Sequence, residues 1–112
     1  RVVELGGFKA IVSAMSSHLT DADVQTNCCS LLWHLARNSA CQQSFASMGG
    51  VECVLSAMDR FPDEVKVQRA GCGAIWRLAH SSQANRKRIT GLAGVEAVLK
   101  AMRLHPEAAE LQ

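Results

Sequence analysis

The sequence matches itself when it is slid by 43 residues. Gly7 then falls on Gly50, Ser13-Ala14-Met15 on Ser56-Ala57-Met58, Val24-Gln25 on Val67-Gln68, Cys29 on Cys72, Trp33 on Trp76 and Leu35-Ala36 on Leu78-Ala79. A third copy begins at Gly94, 44 residues after Gly50, and continues through Ala101-Met102 to Leu111-Gln112. A period of this length restricts the chain to helical arrays of about 40 to 47 residues per unit, or to propeller blades of similar size. The units run over residues 1–38, 39–81 and 82–112, the first and last partial. The chain thus reads as about two and a half units of one array, cut from a longer one, whose ends expose apolar stripes and favour self-association.

Apolar spacing decides between helix and blade. Phe8, Ile11, Val12 and Met15 recur at helical intervals, as do Val51, Val54, Leu55 and Met58, and Val95, Val98, Leu99 and Met102. A longer helix follows in each complete unit, with Val24, Cys28, Leu31, Leu32 and Leu35 as one buried stripe and Val67, Gly71, Ala74, Ile75 and Leu78 as its counterpart. Thr20 or Asp21 caps the first long helix, and Pro62-Asp63-Glu64 opens the second with a proline at the position where a missing N–H is harmless. A short helix links the units, entered through Ser39 with Gln42 in a capping-box arrangement and through Ser82 in the third unit. Gly49-Gly50 then makes a sharp turn, and Ala93-Gly94 does so with one glycine. Each unit is short helix, helix, long helix, and the fold class is all-α.

Composition agrees. Apolar residues make up 48% of the chain but aromatics only 4%, a mixture of small and aliphatic side chains that suits close-packed helices better than a β-sandwich. A net charge of +2 is too small to argue for nucleic acid by bulk electrostatics, and no apolar run approaches the roughly 18 residues of a membrane span. Cys28, Cys29, Cys41, Cys53 and Cys72 are odd in number and lack C-x-x-C spacing, which argues against a disulfide framework or a zinc module and for cytosol or nucleus.

The order of "SFASMGGVECVLSAM", "DEVKVQRAGCGAIWRLA" and "NRKRITGLAGVEAVLKAM" resembles the armadillo-repeat family, with its small-residue turn, apolar second helix and third helix ending in a motif like A-L-W-N-L-A. The resemblance spans Glu4 to Gln112; HEAT repeats are the nearest competitor, and the three-helix unit with a glycine turn favours armadillo. It implies a right-handed α-α superhelix whose third helices line a concave groove for extended peptides. In the best-known groove binders an asparagine of the third helix holds the ligand backbone. That position is His34 in "LLWHLA" and Arg77 in "AIWRLA", and the tryptophan found four residues earlier in nuclear-import adaptors is replaced by Ser30 and Gly73. The asparagine and tryptophan ladder of those adaptors is absent.

Helical spacing assigns the groove instead to Asn27, Ser30, His34 and Arg37 with Asn38 on one long helix, and to Arg69, Arg77 and His80 with Ala70 and Gly73 on the next. That face is polar and weakly basic, and a planar guanidinium suits carboxylate or phosphate. An acidic or phosphorylated protein segment is the expected partner, with a solvated face of surface ion pairs as the plainer alternative. Trp33 and Trp76 sit one step around the helix, placed to stack between units or to edge into the groove, with packing the favoured role. Cys53 shares its column with Ala10 and Ala97, and Cys28 with Gly71, so the cysteines read as small buried residues. Arg86, Lys87 and Arg88 on the third short helix lie away from the groove and are too few for tight nucleic-acid binding. No H-E-x-x-H, G-x-S-x-G, phosphate-cradling loop or carboxylate pair appears, and His18, His34, His80 and His105 do not cluster in sequence. The expectation is a non-catalytic interaction scaffold without cofactor, metal or small-molecule substrate. The alternative is an architectural or regulatory segment packed on other domains of a larger protein such as a kinase.

Overall fold

Seven helices follow one another in the computed structural model, which describes residues 2–80 and 82–105, with side chains from residue 6 onward. They are α1 (Val2–Ser17), α2 (Ala22–Leu35), α3 (Ser39–Ser47), α4 (Gly50–Arg60), α5 (Val65–Ala79), α6 (Gln83–Gly91) and α7 (Gly94–Leu104), with no strand among the described residues. The short, middle, long order recurs in α3, α4 and α5, and its first two members return as α6 and α7. The Leu111-Gln112 match lies outside the described residues. Equivalent helices are neighbours: α2 lies beside α5, α4 between α1 and α7, and α3 beside α6.

The turn between short and middle helix depends on two positions with different jobs. Gly49 sits at φ 88°, the left-handed region that glycine adopts cheaply. Gly50 is required for space: a Cβ there would stand 1.9 Å from Cε2 of Phe45. In the third unit Ala93 takes the left-handed position at φ 63°, while Gly94 keeps the space requirement, since a Cβ there would stand 2.3 Å from Ile89 Cγ2. The first unit departs from the expectation of a glycine turn, because α1 runs straight through Gly6-Gly7. Among the described side chains nothing comparable to Phe45 presses there; the nearest of their atoms to a Cβ on Gly7 is Leu35 Cδ1, at 3.4 Å.

Capping follows the sequence in part. Asp21 caps α2, its Oδ1 accepting from the N–H groups of Asp23 (3.0 Å) and Val24 (3.2 Å), and Ser82 caps α6 by accepting from Asn85 N–H at 3.1 Å. Asn38, not Ser39, caps α3, accepting from Cys41 N–H at 2.9 Å from an extended backbone. Gln42 therefore does not complete a capping box; it is buried and donates to the Ala36 carbonyl at 3.3 Å. Pro62 precedes α5 by a turn and does not open it, since Glu64 is the residue at the helix entrance. The Pro62 carbonyl instead meets His105 Nε2 at 2.8 Å, which ties the loop to the third unit.

One buried glutamine fastens each long helix to the middle helix that precedes it. Gln25 Nε2 donates to the carbonyls of Met15 (3.1 Å) and His18 (2.8 Å), and Gln68 Nε2 to those of Met58 (2.8 Å) and Phe61 (2.9 Å). These carbonyls belong to helix C-termini, where intrahelical partners run out. Replacing Gln68 with leucine leaves both without the amide, and urea unfolding is expected to show a loss of about 2–4 kcal/mol.

Hydrophobic contact runs through all the units, with Phe8 and Phe45 edge to face at 5.7 Å across α1 and α3. The predicted stripes hold inside this core and fail at its ends. Ala74 is fully enclosed, whereas Leu31 in the same column is 52% exposed, because α2 forms the first face of the array and α5 its interior. Val51 is enclosed as well, while Val95, its counterpart on α7, is 51% exposed where no described helix lies against it.

Candidate groove between the long helices

The parallel placement of α2 and α5 opens a cleft of about 420 Å³ bordered by Ser30, Trp33, His34, Lys66, Arg69 and Gly73. Gly73 lets the helices approach at its mouth, since a Cβ there would lie 3.3 Å from Trp33 Cε3. Trp33 then stacks on Trp76, with ring centroids 5.3 Å apart and planes inclined by 24°. The Arg77 guanidinium lies 4.5 Å above the Trp33 ring and 5.7 Å from that of Trp76, and His80 packs on Trp76 at 4.8 Å. Two indoles, a guanidinium and an imidazole thus form one continuous stack across the unit boundary.

Its electrostatics are uneven. Arg77 Nε is buried without a hydrogen-bond partner, its cation held mainly by the aromatic faces. Lys66 pairs with Asp23 across the 43-residue register; the hydrogen bond it donates to that carboxylate holds its ammonium pKa above the ordinary lysine value. Trp76 is 46% exposed, so the ring that stacks across the unit boundary keeps a solvent-facing surface. An exciton couplet in the far-ultraviolet circular dichroism is the expected signature of the stacked pair; it disappears in either Trp33→Phe or Trp76→Phe.

Of the residues assigned to the groove from sequence, Ser30, His34 and Arg69 meet at the cleft. Arg77 and His80 join it through the indole stack. Asn27 is exposed on α2 outside the cleft lining. Arg37 lies beyond the end of α2, whose C-cap is Ala36, so the helical spacing that placed it beside His34 no longer applies. Asn38 is taken up as the α3 cap. Lys66 and Trp33 were not assigned to the groove; the opposite charges of Asp23 and Lys66 in one repeat column were the signal for the first.

The other clusters are occupied structurally. Burial pushes the thiols up, Cys29 to about 12 and Cys72 to about 11, with Cys28 and Cys53 raised in the same way, the reverse of what activates a cysteine nucleophile. Among the described residues no three or more His, Cys, Asp or Glu side chains come together in an arrangement able to hold a metal ion, and no helix is long and apolar enough to cross a membrane. Arg86 donates to the Ala79 carbonyl at 2.7 Å and to Gln83, and Arg88 pairs with Glu52 at 3.2 Å, so two of the three basic residues of α6 tie the third unit to the second.

Comparisons with family models, curated proteins and solved structures find no match to this chain.

Proposed function

We propose that this chain is an armadillo-type protein-interaction module, a right-handed superhelical segment whose cleft between α2 and α5 binds an extended acidic or phosphorylated segment of another protein. The observation that carries the reading is the Arg77 guanidinium placed 4.5 Å over the Trp33 ring of the indole stack with Nε buried and unpartnered, beside a cleft that also presents Arg69, Lys66, His34 and Ser30. Aromatic faces hold the guanidinium in place without neutralising it, so its charge stays available to a carboxylate or phosphate. The exposed face of Trp76 supplies apolar contact for a neighbouring ligand side chain. Five cysteines outside any disulfide suit a reducing compartment, cytosol or nucleus.

Acidic, phosphorylated, neutral and basic versions of one extended peptide, titrated against the protein and its Arg69→Glu/Arg77→Glu variant, test this reading. The acidic and phosphorylated forms are expected to bind the native protein with an affinity that falls with salt, and the variant at least about tenfold more weakly. Equal binding to the variant, or a preference for the basic peptide, would overturn it. The architectural alternative, a segment packed on other helices or domains, draws on a different observation: the apolar face left open by α5, α6 and α7.

A further inference from the structure

The repeat places like ends of α2 and α5 side by side, and charge is sorted along the cleft between them. Asp21 and Glu64 occupy one column and stand at the N-terminal entrances of the two helices, while His34 and Arg77 occupy another near their C-termini. Helix dipoles favour that sorting, with acids at N-termini and bases at C-termini. The cleft inherits it as a polarity, with carboxylates at one end and a guanidinium and imidazoles at the other.

At the acidic end Lys66 lines the cleft and is paired with Asp23. Asp21 and Glu64 also act on its ammonium, so three carboxylates share one cation and leave that end negative. They differ in what the backbone asks of them. The Asp21 carboxylate accepts from the N–H groups of Asp23 and Val24, whereas Glu64 makes no side-chain cap bond and Asp23 is engaged by Lys66. Asp23 and Glu64 can therefore be changed without removing a helix cap. From Lys66 to Arg77, α5 rises about 16 Å. An extended ligand covers that span in about five residues.

We infer that Asp23 and Glu64 are specificity determinants of the proposed groove: they disfavour a second acid at their end, and the preferred ligand carries its acidic or phosphorylated residue at Arg77 and a basic residue about five positions away. The inference rests on the groove reading and restricts it. A uniformly basic cleft rewards every acid added to the ligand, whereas this one rewards an acid at one end and a base at the other. Such exposed charges act modestly, and salt screens them.

Extended phosphopeptides that differ only in bearing arginine, glutamine or glutamate about five positions from the phosphoserine, titrated against the intact chain at low ionic strength, test this by fluorescence anisotropy. One series places the variable residue before the phosphoserine and one after it, since an extended ligand can run either way. In at least one series the arginine peptide is expected to bind tightest and the glutamate peptide weakest, with about threefold between neighbours, although the glutamate peptide carries the most negative charge. In Asp23→Asn/Glu64→Gln the three are expected to fall within about twofold of one another, and a melting curve checks that this variant keeps the fold. A glutamate peptide that binds as tightly as the arginine peptide in both series would overturn the inference and leave the groove reading standing, as would an order untouched by the double variant. No binding by any peptide, or binding that Arg69→Glu/Arg77→Glu does not weaken, would overturn both.

Discussion

Gly50→Ala is expected to lower stability by about 3 kcal/mol, a large effect for the addition of one methyl group. The new Cβ would lie 1.9 Å from the ring of Phe45, and that ring is fully enclosed against Phe8 and the core of the unit. Neither partner moves cheaply, since Gly50 belongs to the first turn of α4 and Phe45 cannot turn outward without leaving a cavity. Gly49→Ala, one residue earlier, is expected to cost only about 1–2 kcal/mol, the strain of a left-handed backbone with no clash added. Ala93→Gly should reverse the sign and stabilise the third unit by up to about 1 kcal/mol, less the entropy that glycine loses on folding. Urea denaturation of the three variants separates the two roles. If Gly49→Ala proves the more damaging of the pair, the steric account of Gly50 is wrong.

Alkaline pH is expected to destabilise the protein strongly through Cys29 and Cys72. Both thiols are held above their ordinary value of 9.0 in the folded state, to about 12 and about 11, with burial the main cause. Below pH 9 both states keep these protons and nothing changes. As pH rises beyond 9 the unfolded chain releases them while the folded chain does not, so stability falls by roughly 1.4 kcal/mol per pH unit for each thiol until its folded pKa is reached. At pH 11 the two together remove about 4–5 kcal/mol, a large share of the total for a domain of this size. Unfolding free energies between pH 8 and 11 measure the slope, and Cys29→Ala/Cys72→Ala is expected to flatten it. A slope unchanged in that double variant would place the titrating groups elsewhere.

Much of this architecture is legible in the sequence because the repeat writes it twice. Trp33 and Trp76 in one column announced contact between neighbouring units, and the αL turn followed from Gly49. Division of labour within a column was harder to read. The Val-Gln pair was visible as a match, but nothing in the linear sequence says that the glutamine amide caps the preceding helix, since its acceptors lie seven and ten residues upstream. Gly6-Gly7 looked like Gly49-Gly50, yet whether a glycine pair breaks a helix depends on what presses against it, and among the described side chains no counterpart of Phe45 presses there. Arg37 was placed on the groove by a periodicity that ends two residues before it, at Leu35. Exposure of Leu31, Val95 and Leu99 is likewise a property of position in the array, which residue type does not encode.

The most direct test of the groove is chemical-shift mapping in isotope-labelled protein, titrated with the acidic and phosphorylated peptides. The two indole N–H signals report on the Trp33–Trp76 stack, and the backbone signals on both long helices. The account predicts saturable shifts at Ser30, Trp33, His34, Arg69, Trp76 and Arg77, absent in Arg69→Glu/Arg77→Glu, with α6 unaffected. Shifts centred on Arg86, Lys87 and Arg88 with silent indoles would contradict it and move binding to the outer surface.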